Sequence, residues 1–86
     1  MNINELIAIV KKKLIENIII EKIEIEDKSF LHKNHPGNQK GKFHLKIKIV
    51  SKELGLLSKI DSNKRIHKIL DKEIKEHIHS IQILIL

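Results

Sequence analysis

Apolar residues near the start of the chain recur at helical spacing. Ile3, Ile7, Val10 and Leu14 share one face, Leu6 widens it, and Lys11, Lys12 and Lys13 fall mostly outside it. This predicts an amphipathic helix over residues 4–16. Asn2 followed three positions later by Glu5 has the spacing of a capping box, in which a side-chain acceptor satisfies a free first-turn amide. From Ile18 the composition turns β-branched, and Ile23-Glu24-Ile25-Glu26 alternates with period two. Phe43-His44-Leu45-Lys46-Ile47-Lys48-Ile49 alternates in the same way, so each stretch predicts a strand with one buried face. Between them, residues 27–42 hold the only proline and two of the three glycines. That composition predicts a hairpin loop longer than a turn requires, with 31–42 more mobile than the sheet.

Leu54-Gly55-Leu56-Leu57 predicts a short helical turn. Ile66, Ile69, Leu70 and Ile74 predict a second full helix, with Asp61 or Ser62 as its N-cap. Ile81, Ile83 and Ile85 alternate with Ser80, Gln82 and Leu84 and predict a third strand. The order is helix, strand, strand, short helix, helix, strand. A helical crossover makes the second and third strands parallel and right-handed in connection if adjacent, while the first pair is antiparallel. The expected fold is α+β: a two-layer sandwich with a mixed three-stranded sheet, one face covered by helices, forming a single domain over residues 1–86. Its core would bring Ile23, Ile25, Phe43, Leu45, Ile47, Ile49, Ile81 and Ile83 against Ile7, Val10, Leu14, Ile66, Leu70 and Ile74.

Composition narrows the chemistry. Aromatics are 2% of the chain, both Phe, so Ile and Leu packing must make the core. With no cysteine there is no disulfide, no thiolate metal site and no thiol nucleophile. No apolar run is long enough to span a bilayer, and the N-terminus lacks signal-peptide features. The chain reads as soluble, without a membrane partner, and cytoplasmic, an organelle being left open. Its formal net charge of +6 attracts anions such as nucleic acid or acidic proteins.

Six histidines are the main chemical signal: His32, His35, His44, His67, His77 and His79. His32 and His35 share the loop, where a mobile backbone can bring both imidazoles to one metal. His77 and His79 would share a face if both were in strand conformation. His79 shares its period-two face with Ile81, Ile83 and Ile85, which places it on the core side at the start of a strand. His44 lies opposite Leu45, Ile47 and Ile49, as an exposed strand residue beside Lys46 and Lys48. His67 flanks the helix stripe and is expected to be partly packed.

No catalytic constellation emerges. Ser29 and Ser51 lack a nucleophile elbow, and Glu24, Glu26 and Asp27 fit pairing with lysines better than an acid/base dyad. Gly37-Asn38-Gln39-Lys40-Gly41 lacks the length and the Lys-Ser/Thr of a phosphate-binding loop. The chain reads as non-enzymatic. Lys46 and Lys48 on the strand, with Lys64 and Arg65 on the second helix, are the nucleic-acid candidates. Arg65 is the only arginine and no aromatics interleave, so weak binding without base reading is expected.

Together these segments resemble the BolA-like family. Asp27-Lys28-Ser29-Phe30-Leu31-His32 is similar to its D-E-S-x-x-H, and His44-Leu45-Lys46-Ile47-Lys48-Ile49-Val50-Ser51 to its H-F-x-V-x-x-V-S. Ile78-His79-Ser80-Ile81-Gln82-Ile83 resembles its closing V-H-A-L-x-L. The match covers residues 27–83 in order. Where the family commonly carries R-H-R, this chain has Ser62-Asn63-Lys64. The resemblance implies a class II KH-like fold. It also implies two functions: partnership with a monothiol glutaredoxin through a [2Fe–2S] cluster shared with glutathione, or transcriptional regulation by binding DNA. In the first, His79 would be a cluster ligand and His32, His35 or His44 the second, with no cofactor expected in the isolated protein. A homodimer is left open.

Overall fold

Asn2 opens the first helix as its spacing predicts. Its side chain accepts the Glu5 N–H at 2.8 Å and returns a 3.1 Å bond to the Glu5 carboxylate, starting α1 (Ile3–Asn17). The computed structural model describes residues 1–29 and 42–86. His32, His35 and the expected loop mobility over residues 31–41 lie outside the described residues. After α1 come β1 (Lys22–Asp27), β2 (Phe43–Val50), α2 (Lys52–Gly55), α3 (Lys59–Ile69), α4 (Asp71–Glu76) and β3 (Ile78–Ile85).

The sheet order is β1-β2-β3, with β1 antiparallel and β3 parallel to β2. This is the expected mixed three-stranded α+β architecture. Alternation along β2 buries Leu45, Ile47 and Ile49 on the helix side, where they join Leu6, Val10, Leu14, Ile66 and Leu70 in one cluster. Ile23, Ile25, Phe43, Ile74, Ile81 and Ile83 pack around it. Ile7 does not join the cluster. The stripe of α1 is centred on Leu6, Val10 and Leu14 instead, with spacings of four and four.

The second full helix is in fact two. Leu70 leaves helical torsions (φ −97°, ψ 16°) and ends α3 while starting α4. It is fully buried at the break, and beyond it Glu73 reaches Lys13 of α1 at 2.6 Å. Neither Asp61 nor Ser62 caps α3. Ser58 does, accepting the Asp61 N–H at 3.1 Å, and Ser62 turns inward to donate to the Leu54 carbonyl at 3.0 Å. A buried hydroxyl needs such a partner, and that requirement decides which serine caps.

Candidate functional site

The two closing motifs meet where β2 begins. Phe43 pairs with Ile78, yet His44 pairs with Ser80, so β3 carries one extra residue, a bulge at His79. Ile78 faces the core, 3% exposed, and Ile81 packs against the core again. The two residues between them therefore both lie on the sheet's outer face. This corrects the placement of His79 on the core side, since strict alternation fails across the extra residue. His79 is solvent-exposed, and its ring centroid lies 4.9 Å from that of His44, tilted by 57°.

His44 is also not the exposed strand residue its alternation predicts; only 3% of it is accessible. The end of β1 encloses it on one side and the bulge on the other. Its N–H donates to Ser29 Oγ at 3.1 Å, and its carbonyl accepts the Lys28 N–H at 2.7 Å. The Ser29 N–H in turn donates to Asp27 Oδ1 at 2.9 Å. Across the strand, His44 Nδ1 shares a 2.6 Å hydrogen bond with Ser80 Oγ. Asp27 and Ser29 thus fix the backbone of His44, and Ser80 fixes its ring.

The remaining histidines stand apart. His77 precedes β3 as the C-cap of α4, with Nε2 3.6 Å from the Glu76 carboxylate, so it shares no strand face with His79. His67 is exposed rather than partly packed, because it points off the outer side of α3, where Nδ1–H donates to the Asn63 carbonyl at 2.8 Å. Among the described residues no three histidine, aspartate or glutamate side chains converge as a metal site. Sequence reasoning missed Ser29 and Ser80. The step of three from Ile78 to Ile81, followed by steps of two, was the available signal for the bulge.

Comparison with known proteins gives this geometry a lineage. The sequence profile described as BolA-like protein matches residues 14–86. The chain belongs to the BolA-like family. A curated relative, an uncharacterised protein in the 5′ region of cobS from Sinorhizobium sp., is 29% identical over 76 residues, covering 86% of this chain and 82% of the relative. The solved BolA domain of SufE1 from Arabidopsis thaliana is similar with a TM-score of 0.77 and 26% identity, covering 91% of this chain and 86% of the other. BolA1 from the same plant matches in fold with a TM-score of 0.76 at 22% identity, covering 92% and 87%. In this BolA-like chain Ser80 stands where the closing motif carries Ala, so the serine clamp on His44 departs from that pattern.

The basic candidates do not form one surface in this BolA-like chain. Lys46 and Lys48 lie on the outer sheet face, whereas Lys64 and Arg65 belong to α3 on the other side. Lys48 and Lys28 both pair with Glu26, at 3.4 and 3.0 Å. The Lys28 hydrogen bond holds the Glu26 carboxyl below its ordinary value against the opposing effect of desolvation, and Lys48 adds to the lowering. Glu26 therefore stays ionised, and both ion pairs persist, until the pH falls below the usual glutamate range. Arg65 is committed to Glu53 at 3.1 Å and to the Asn17 carbonyl at 3.2 Å. Duplex DNA binding is expected to be weak, indifferent to sequence and lost by about 150 mM salt, because it rests on lysine–phosphate attraction that salt weakens, with no free guanidinium fork or aromatic platform for reading bases. Competition titrations with specific and scrambled duplexes check this; tight, selective binding at that salt refutes it. Among the described residues no helix is long and apolar enough to cross a membrane.

Proposed function

We propose that this chain is a non-enzymatic partner of a monothiol glutaredoxin, lending imidazole ligation to a [2Fe–2S] cluster that the two proteins share with glutathione. The observation that carries the reading is the exposed His79 on a bulge, set against the buried and doubly anchored His44. A ligand needs a fixed backbone and an accessible nitrogen, and His79 combines strand anchoring with exposure.

The donor chemistry fits a shared group. The chain has no thiolate to offer, and the described residues do not close a metal site alone, so soft sulfur must come from the partner and imidazole from here. The cluster supplies one-electron redox capacity and transferable iron and sulfide. His44 is too enclosed to present a second ligand to a bulky cluster, and its Nδ1 is held by Ser80. Its part is to orient the His79 ring through edge contact. On this reading the second imidazole comes from His32 or His35, between β1 and β2 in the sequence.

Mixing the protein with a monothiol glutaredoxin, ferrous iron, sulfide and glutathione tests the reading through visible absorption and circular dichroism. His79→Ala is expected to abolish the mixed-cluster spectrum or shorten its lifetime at least about tenfold, with the fold unchanged, and His44→Ala to shift the spectrum and weaken assembly in the range of about 10–100-fold typical of residues supporting a ligand. His77→Ala should leave both unchanged. An identical spectrum and lifetime for His79→Ala would show that the histidine is merely a surface residue.

A further inference from the structure

The two edges of the sheet differ in kind. β1 carries Lys22, Glu24, Glu26 and Asp27 along its six residues, the charged dressing that keeps an edge strand from pairing with another chain. β3 runs for eight residues, Ile78–Ile85, without one Lys, Arg, Asp or Glu, and no described strand lies on its outer side. We propose that this outer edge of β3 is a homodimer interface, on which a second copy of the chain pairs its own β3 antiparallel about a twofold axis.

The ladder fixes which groups face outward. The Leu86 N–H donates to the Ile49 carbonyl, and in a strand the N–H and C=O of one residue point the same way, alternating along the chain. Ser80, Gln82 and Leu84 therefore bond towards β2, while Ile81, Ile83 and Ile85 turn their amides and carbonyls to the open edge. The same three residues place half-buried side chains on the helix side of the sheet, where the core runs out at the edge.

A pairing partner must match two rows: apolar on the helix side, neutral on the outer side. β3 itself has that pattern. With Ile83 opposite its own copy, Ile81 meets Ile85 on the helix side and Gln82 meets Leu84 on the outer side, so two exposed or half-exposed rows cover each other. Such an isologous contact closes after two copies, whereas pairing β3 with β1 of another molecule would be head-to-tail and would set the charges of β1 against an uncharged edge. The product is a continuous six-stranded sheet whose two helical layers lie on one side. His79, at the opposite end of β3 from Ile85, stays outside the paired segment. The proposal stands independently of cluster ligation.

Sedimentation velocity on the full chain from about 10 μM to about 1 mM should show a reversible monomer–dimer equilibrium, as expected for an interface at the small end of the size scale. Amide exchange of Ile81, Ile83 and Ile85 should slow as concentration rises, while Gln82 and Leu84 stay protected throughout. Ile83→Pro removes an outward N–H and leaves the β2 ladder intact, the one way proline is tolerated in an edge strand; it should be folded and monomeric at every concentration. Gln82→Lys, an exposed position that cannot disturb the core, should weaken association at least about tenfold by placing like charges beside the axis. A chain that sediments as monomer throughout with concentration-independent exchange of the three amides overturns the proposal, even if it captures a strand from another protein. A dimer that survives Gln82→Lys and Ile83→Pro unchanged, or Gln82→Lys alone should the proline variant not fold, overturns it equally.

Discussion

Leu70→Ala is expected to lower the unfolding free energy by about 2–5 kcal/mol, the cost of deleting a buried leucine and leaving a space that its neighbours fill only partly. Leu70 is fully buried and sits at the junction where α3 ends and α4 begins. Its N–H donates to the Ile66 carbonyl at 3.0 Å, and its carbonyl accepts the Ile74 N–H at 2.9 Å. The side chain therefore anchors both helices to the sheet at once. A domain of this size has a total stability on the order of 5–10 kcal/mol, so the variant should lose a large share of it and unfold at a clearly lower denaturant concentration. Urea titration followed by circular dichroism measures the loss. Ile47→Val, a smaller deletion at a fully buried sheet position, should cost only about 0.5–1.5 kcal/mol and calibrates the scale. A midpoint for Leu70→Ala equal to that of the parent protein would mean that the core is not built around this junction.

Lys13→Met carries the second large effect. Lys13 Nζ lies 2.6 Å from Glu73 Oε2, and the glutamate side chain is only 6% exposed against 35% for the lysine. Glu73 Oε1 is buried without a hydrogen-bond partner among the described residues, so Lys13 is its principal compensation. Removing the lysine strands a buried carboxylate, for which about 2–4 kcal/mol is expected, below the full range for buried pairs because the lysine end is partly hydrated. Adding Glu73→Met to Lys13→Met should restore much of that loss, since exchanging both members for apolar groups of similar volume also removes the desolvation cost. The double-mutant cycle, read from denaturation midpoints, separates the coupling from the single losses. Additive behaviour would mean that the 2.6 Å contact contributes nothing.

Much of the fold could be read from the sequence because local rules and tertiary packing agree. Asn2 and Glu5 cap α1 at the predicted spacing, and β2 alternates so cleanly that its buried face was never ambiguous. Where the reading failed, the deciding interaction joined residues distant in sequence. The apolar spacing from Ile66 through Ile74 is continuous, and no glycine or proline marks the break at Leu70; the ion pair beyond that break is with Lys13, about sixty positions away. Asp61 and Ser62 are both good capping types, but Ser62 has a carbonyl to satisfy on α2, and that leaves the role to Ser58. At the site, the motifs drew attention to His44 and His79, and the fold brings their ring centroids within 4.9 Å of each other. The face of His79 was misjudged, and His44 proved enclosed on its expected face, because a bulge and the contacts around it belong to the pairing of two strands and not to either strand alone.

The bulge has one more consequence. Beyond it, residues 81–85 interlock with 45–49 in regular register, and before it Phe43 and Ile78 keep their own pairing. His79 thus sits alone at an interruption, between the Phe43–Ile78 pair and the regular ladder that begins at Ser80. The exposed side chain at position 79 can change in identity while the ladder on either side keeps its pairing. A lineage can therefore vary the residue displayed at this bulge without renegotiating the core that holds it in place.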